Sequence, residues 1–364
     1  MKKVLLLISG YSIIFSGLNI LSLRLEVEEK GARKQESLSS LKQDLSYHDV
    51  VYDGPYTFYL NLDKTIKYAS YDETGIIEKY YYFYPDTKLE DDYTSRVKYI
   101  LYVDCNGVIK YNEERTEFTQ KVKYYYEYYI DTTYADQHEF HIRKKFYVTE
   151  NSIIKYAEER QNVTQEVIRY YKYYPGVKYG SHVNKEQYIY HLNKDGTINY
   201  ADGYERGTLR KTDIYKYYPG VKYGSHVNKE QYIYHLNKDG TINYTDGYER
   251  GTFRKTDIYK YYPGVKYGSH VNKEQYIYHL NKDGTINYTD GYERGTFRKT
   301  DIYEYYSGVK YGSHVNKEHY IYHLNKNGTI NYVDEYNKAF KIMNRHKSKL
   351  DTRFKADGSH WLAQ

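Results

Sequence analysis

The sequence predicts an all-β fold of tandem tyrosine-rich β-hairpin or meander repeats of about 44 residues, joined into an elongated sheet or a β-solenoid. Three observations predict it. The phrase YGSHVNKE opens at Tyr179, Tyr223, Tyr267 and Tyr311, a strict period of 44 residues. Within each copy, apolar and polar residues alternate with the period of a strand. Tyrosine, present 56 times in 364 residues, takes the place of the usual aliphatic core. Its ring is apolar and its hydroxyl wants a partner, so it suits half-buried surfaces better than sealed interiors.

One copy shows how each element is read. From Gln231 to Leu236, Tyr232, Tyr234 and Leu236 alternate with Ile233 and His235, a two-faced strand. The stretch NKDG, Asn237 to Gly240, follows as a tight turn, because Asp-Gly supplies the positive φ that a hairpin loop requires. TINY returns as a second strand. TDGYERG, Thr245 to Gly251, reads as a second turn region, and Thr252 to Tyr262 as a longer third strand ended by Pro263-Gly264. VKYGSHVNKE is an extended or looped connection. Three strands per copy imply roughly twenty in all, and no helical period runs through the array.

The period reaches further upstream than the near-identical copies. TIKY ending at Tyr68, VIKY at Tyr111 and IIKY at Tyr156 align with TINY at Tyr200, Tyr244, Tyr288 and Tyr332. Residues 48–178 therefore hold three divergent repeats, and residues 179–345 four near-identical ones, the last incomplete. Such a module is too small to stand alone, so neighbours must cover one another's apolar faces.

Outside the array, Lys2 and Lys3 precede an apolar run from Val4 to Leu23. Residues 1–23 read as a signal peptide or a membrane anchor, which would place the rest outside the cell or on its surface. Residues 24–47 read as a charged, partly helical stalk, and residues 346–364 as a basic tail. The net charge of +6 is spread through mixed-sign segments, which argues against nucleic acid as a partner. The lone Cys105 has no partner for a disulfide or a zinc site and reads as a small buried or half-buried residue.

No motif points to catalysis. There is no Ser/His/Asp order, no phosphate loop and no isolated acidic pair, so neither an enzyme nor a cofactor is expected. The recurring histidines, His226 and His235 in one copy, read as solvated or tyrosine-packed, not as metal ligands. Asp239 and Asp246 lack the spacing of a calcium loop and read as turn residues.

Two local resemblances accompany this reading. HLNKDGTI, His235 to Ile242, resembles the hairpin of the choline- and glucan-binding repeats of Gram-positive surface proteins, though the tryptophans of those repeats are missing from the array. The span Tyr232 to Tyr244 is similar in spacing to the fibrinogen-binding tail repeats of staphylococcal coagulases, without the A-R-P element of that family. Both imply a secreted bacterial binding protein. The expected function is multivalent, non-enzymatic binding of a host extracellular protein or a cell-wall polysaccharide, with a structural spacer as the alternative. The expected ligand-binding residues are Tyr204 with Arg206, Tyr248 with Arg250 and Tyr292 with Arg294, each pair projecting from a DGYERG loop as a stacking plate and a guanidinium fork.

Overall fold

The computed structural model describes residues 5–8, 11–14, 49–72, 77–133 and 141–347. Strands β1 (Leu5–Ile8) and β2 (Tyr11–Ile14) form an antiparallel hairpin inside the segment read as a leader. The remainder of that segment, the stalk and the tail beyond Lys347 lie outside the described residues. No helix among the described residues is long and apolar enough to cross a membrane.

The fold is all-β, and the chain divides into two compact units. The first contains β3 (Asp49–Asp53), β4 (Tyr56–Leu60), β5 (Ile66–Asp72), β6 (Ile77–Phe83), β7 (Val97–Val103) and β8 (Ile109–Arg115). Each of these pairs antiparallel with the next. The second begins with β9 (Val122–Tyr128) and continues as triplets. These are β10 (Ile142–Val148), β11 (Ile154–Arg160) and β12 (Val167–Tyr173); β13 (Glu186–Leu192), β14 (Ile198–Tyr204) and β15 (Lys211–Tyr217); and β16 (Glu230–Leu236), β17 (Ile242–Tyr248) and β18 (Lys255–Tyr261). They are followed by β19 (Glu274–Leu280), β20 (Ile286–Tyr292) and β21 (Lys299–Tyr305), then β22 (Glu318–Leu324), β23 (Ile330–Tyr336) and β24 (Ile342–Lys347). This sheet is an open meander: β24 pairs with β23 and with no other described strand.

The first turn of each copy forms as its residues dictate. The Asn237 amide donates to the Thr241 carbonyl at 2.8 Å, Gly240 takes a φ of 79°, and the Asp239 carboxylate accepts from the Thr241 amide and hydroxyl. Cys105 occupies the tip of the equivalent turn in a divergent copy and is exposed, contrary to expectation, because a hairpin tip has no core to enter.

The second turn is shorter than the sequence suggests. TDGY belongs to the second strand, which runs through Tyr248, and the turn is confined to residues 249–254. Gly247 does not supply a positive φ. It stands opposite Tyr232 in the ladder, and a Cβ there would come within 3.2 Å of the Tyr259 ring. This glycine makes room for flanking tyrosines, while Gly251, at φ 80°, makes the turn.

Three strands per module is an odd number, and this sets the character of the sheet. Residues paired across an antiparallel ladder lie on one face. Tyr190 pairs with Ala201, Ala201 with Tyr215, Tyr215 with Ile233, Ile233 with Asp246, Asp246 with Ile258 and Ile258 with Tyr278. Tyr190 and Tyr278 therefore share a face. Tyr234, the same residue of the module between them, pairs with Ile214 and Thr245 and lies on the other face. Successive modules present identical surfaces to opposite sides.

Each face is closed by the connection that follows the third strand. Val265 and Tyr267 fold back over Ile214, Tyr234, Ile242 and Tyr261, tied down where the Ile242 amide donates to the Val265 carbonyl at 2.7 Å. The next connection covers the opposite face, with Val309 and Tyr311 over Ile258, Tyr278 and Ile286. A single-layer sheet thus acquires a thin core on both sides. Tyrosine suits so thin a core: Tyr234 and Tyr261 are buried, while Tyr232, Tyr259 and Tyr267 around them are only half-buried.

Candidate functional site

Tyr204, Tyr248 and Tyr292 end the second strands of their modules and are half-buried, so they do not project from loops as expected. The Tyr248 hydroxyl lies 3.4 Å from the buried Asp246 carboxylate, and its backbone carbonyl accepts a 2.7 Å hydrogen bond from Tyr218. Burial first, then the neighbouring aspartate, pushes the Tyr248 phenol far above its ordinary pKa. The three arginines are exposed, but their plate is a different ring. Arg206, Arg250 and Arg294 stand 5.6–5.7 Å over Tyr174, Tyr218 and Tyr262, each from the preceding module. None of the three makes an ion pair among the described residues.

Tyr174, Tyr218 and Tyr262 were not singled out by the sequence reading. Each hydroxyl donates to a carbonyl 30 residues ahead, at Tyr204, Tyr248 and Tyr292 respectively. Tyr306 does the same to Tyr336 near the end, and in divergent copies Tyr84 and Tyr129 donate to carbonyls 31 residues ahead, at Arg115 and Arg160. Persistence through divergent copies marks this latch as structural.

A second feature, half-buried in the sheet, is an Asp-His-Asp chain. His235 Nδ1 lies 2.7 Å from Asp213 of the preceding module, and its Nε2 lies 3.2 Å from Asp246. Lys255 Nζ reaches the same Asp246 oxygen at 2.6 Å. His279 repeats the arrangement with Asp257, Asp290 and Lys299. Burial of each ring alone would lower its pKa, but hydrogen bonds to two carboxylates outweigh that and raise it to about 9. Asp246 is therefore no turn residue: it sits mid-strand and is held ionised. The sequence carried a signal for this, because Tyr147 and Glu158 of a divergent copy stand where the later copies have histidine and aspartate. Tyr147 stacks on Tyr156 at 4.2 Å and donates to Glu158, while His235 packs at a tilt against Tyr244 at 4.4 Å and meets Asp246.

The other histidine of each copy is tyrosine-packed, as expected. His270 lies among Tyr234, Tyr261 and Tyr267, and its Nδ1 accepts from the Gly268 amide at 3.2 Å, which requires a neutral ring. Among the described residues no group of three or more His, Cys, Asp or Glu side chains is disposed to hold a metal ion.

The edges of the sheet carry the exposed chemistry. Leu209 (71 % exposed), Phe253 (64 %) and Phe297 (71 %) stand on the turns after the second strands, and Phe118 and Val163 stand on the equivalent turns of divergent copies. Val227 and Val271 are exposed on the adjoining connections, joined to those turns where Gly251 donates to the Asn228 carbonyl and Gly295 to the Asn272 carbonyl. One cleft of about 340 Å3 opens beside the 293–298 turn, lined by Tyr288, Ile302, Leu324, Arg298, Lys299 and Lys326. Two of its cations are already engaged, Arg298 by Glu293 and Lys299 by Asp290. The uncommitted groups are the apolar turn residues and the arginines beside them.

No protein-family model matches the sequence, and no curated protein matches it either. Among solved structures, the chain is similar in part to a mutant of S. aureus TarM in complex with Fondaparinux, alpha-GlcNAc-glycerol and UDP, at 9 % identity and a TM-score of 0.25 over 37 % of this chain and 23 % of that one. The TcdB2-TccC3-TEV structure gives 9 % identity and a TM-score of 0.18, covering 93 % of this chain and 19 % of the other. The Tc holotoxin pore of Photorhabdus luminescens gives 10 % and 0.12, covering 79 % and 16 %. The chain spans under a quarter of each of these structures, and TM-scores this low carry no functional argument.

Proposed function

We propose that the protein is a non-enzymatic repeat protein, secreted or anchored at the cell surface, that binds a host extracellular protein or a cell-wall polysaccharide at several modules at once. The carrying observation is the exposed apolar side chain on successive turns, at Phe118, Val163, Leu209, Phe253 and Phe297. A side chain exposed to this extent gains little from folding, yet an apolar residue stands there even where the turn sequence differs. Repetition of weak sites raises affinity by effective concentration.

The test is a binding screen of the full chain on glycan and extracellular-protein arrays, repeated with a variant carrying Leu209→Ser, Phe253→Ser and Phe297→Ser. The variant should keep its circular dichroism spectrum and lose binding tenfold or more. Unchanged binding refutes the assignment of these turns. The alternative, a spacer that holds other groups apart, draws on the latch of Tyr218 and its equivalents, which ties each module to the next. A spacer would bind nothing in the screen.

A further inference from the structure

The odd strand count governs the edges of the sheet as well as its faces. β14, β17 and β20 are the second strands of successive modules, separated each time by two intervening strands of the meander. In an antiparallel sheet each strand reverses the one before, so β14 and β20 run one way and β17 the other. The turns that follow them must alternate. Leu209 and Phe297 lie at one edge, while Phe253 lies at the other, as does Val163 after β11. The connections follow the same parity, which puts Val227 beside the turn of Phe253 and Val271 beside the turn of Phe297.

Seven-residue strands separate the two edges by roughly 23 Å, and clusters on the same edge are six strands, or about 29 Å, apart. The clusters at Leu209, Phe253 and Phe297 each join that exposed side chain to an arginine, Arg206, Arg250 and Arg294 respectively, that makes no ion pair among the described residues. Phe253 and Phe297 also have an exposed valine on the adjoining connection. An apolar pair beside a free guanidinium is complementary to a protein segment that carries a carboxylate next to an apolar side chain. A neutral polysaccharide would leave that guanidinium without a counter-charge.

We infer that successive modules dock an acidic, apolar protein segment at opposite edges of the sheet, so that one chain couples partner molecules on its two sides. This rests on the binding reading above and adds its geometry and partner chemistry. Neighbouring modules do not share one partner surface; modules of like parity do.

The experiment uses the full chain and latex beads coated with a random copolymer of glutamate and tyrosine, an acidic polypeptide with apolar rings. Capture of protein by the beads and agglutination of the beads are read separately. Both variants carry Phe118→Ser and Val163→Ser, which removes the exposed apolar turn residues of the divergent copies. One adds Phe253→Ser, clearing a single edge, and the other adds Leu209→Ser, which leaves Phe297 at one edge and Phe253 at the other. The two lose equal numbers of sites. The single-edge variant should still be captured but agglutinate at least tenfold less, while the two-edge variant should agglutinate within about twofold of the parent. Equal agglutination by the two overturns the alternating geometry. Absence of copolymer capture, with a glycan ligand emerging from the array screen, overturns the partner chemistry and leaves the binding reading standing; absence of any ligand in both defeats the binding reading itself.

Discussion

Raising the pH should loosen the later repeats through His235 and His279, and the structure sets both sign and size. An unfolded histidine titrates near 6.5, whereas these two are held up to about 9 by paired aspartates that outweigh the cost of burying the ring. A group whose folded pKa is raised contributes stability that is fully present below the unfolded value. That contribution is lost as pH rises through the folded value, so the window of loss runs from about 6.5 to 9. A difference of this size corresponds to at most about 3–4 kcal/mol per histidine, at about 1.4 kcal/mol per unit. The rings are roughly a quarter exposed, so screening should leave about 1–3 kcal/mol. Long repeat arrays do not unfold in two states, so a residue-level readout is needed. Imidazole Hε1 resonances followed by NMR should show His235 and His279 titrating near 9. Hydrogen exchange in β16 and β17, corrected for intrinsic rate, should lose protection between pH 7 and 9.5, and His235→Gln should remove that slope locally. A His235 resonance titrating near 6.5, or an unaltered slope in the variant, would refute the reasoning.

Acid should act on the other histidine of each copy. His226, His270 and His314 are driven below their ordinary range chiefly by burial, so the stability they contribute is present above about 6.5 and is lost as pH falls from there through their depressed folded values; amide exchange at Gly224, Gly268 and Gly312 should accelerate below pH 6. Tyr262→Phe deletes the 2.7 Å bond to the Tyr292 carbonyl while keeping a ring under Arg294, and should cost about 1 kcal/mol, read as faster exchange around residues 292–296. Joint replacement of Tyr204, Tyr248 and Tyr292 by Ser should lower the melting temperature by several degrees, since each ring is half-buried over a carboxylate; an unchanged melt would restore these residues to a free loop.

Much of the local structure was legible in the sequence, and the physical reason is that it is local. A strict 44-residue period, two-residue alternation from Tyr232 to Leu236 and the φ requirement at Gly240 specify strands, a hairpin and a tandem array without reference to distant contacts. The second turn was misplaced because Asp246-Gly247 carries the same signature as Asp239-Gly240. Only the ladder shows that one glycine turns the chain while the other clears space between Tyr232 and Tyr259. The candidate site was legible only in part. Arg206, Arg250 and Arg294 are exposed as expected, but their ring partners come from the preceding module, a contact made across 30 or so residues that no spacing within DGYERG reveals. The Asp-His-Asp chain likewise needs three strands from two modules. The alternation of faces and edges belongs to the same class: the repeat unit is written in the sequence, but its parity emerges when strands are counted in register. An odd number of antiparallel strands reverses direction from one copy to the next, so identical sequences are carried to opposite sides by the hydrogen-bonded ladder and not by any residue within them.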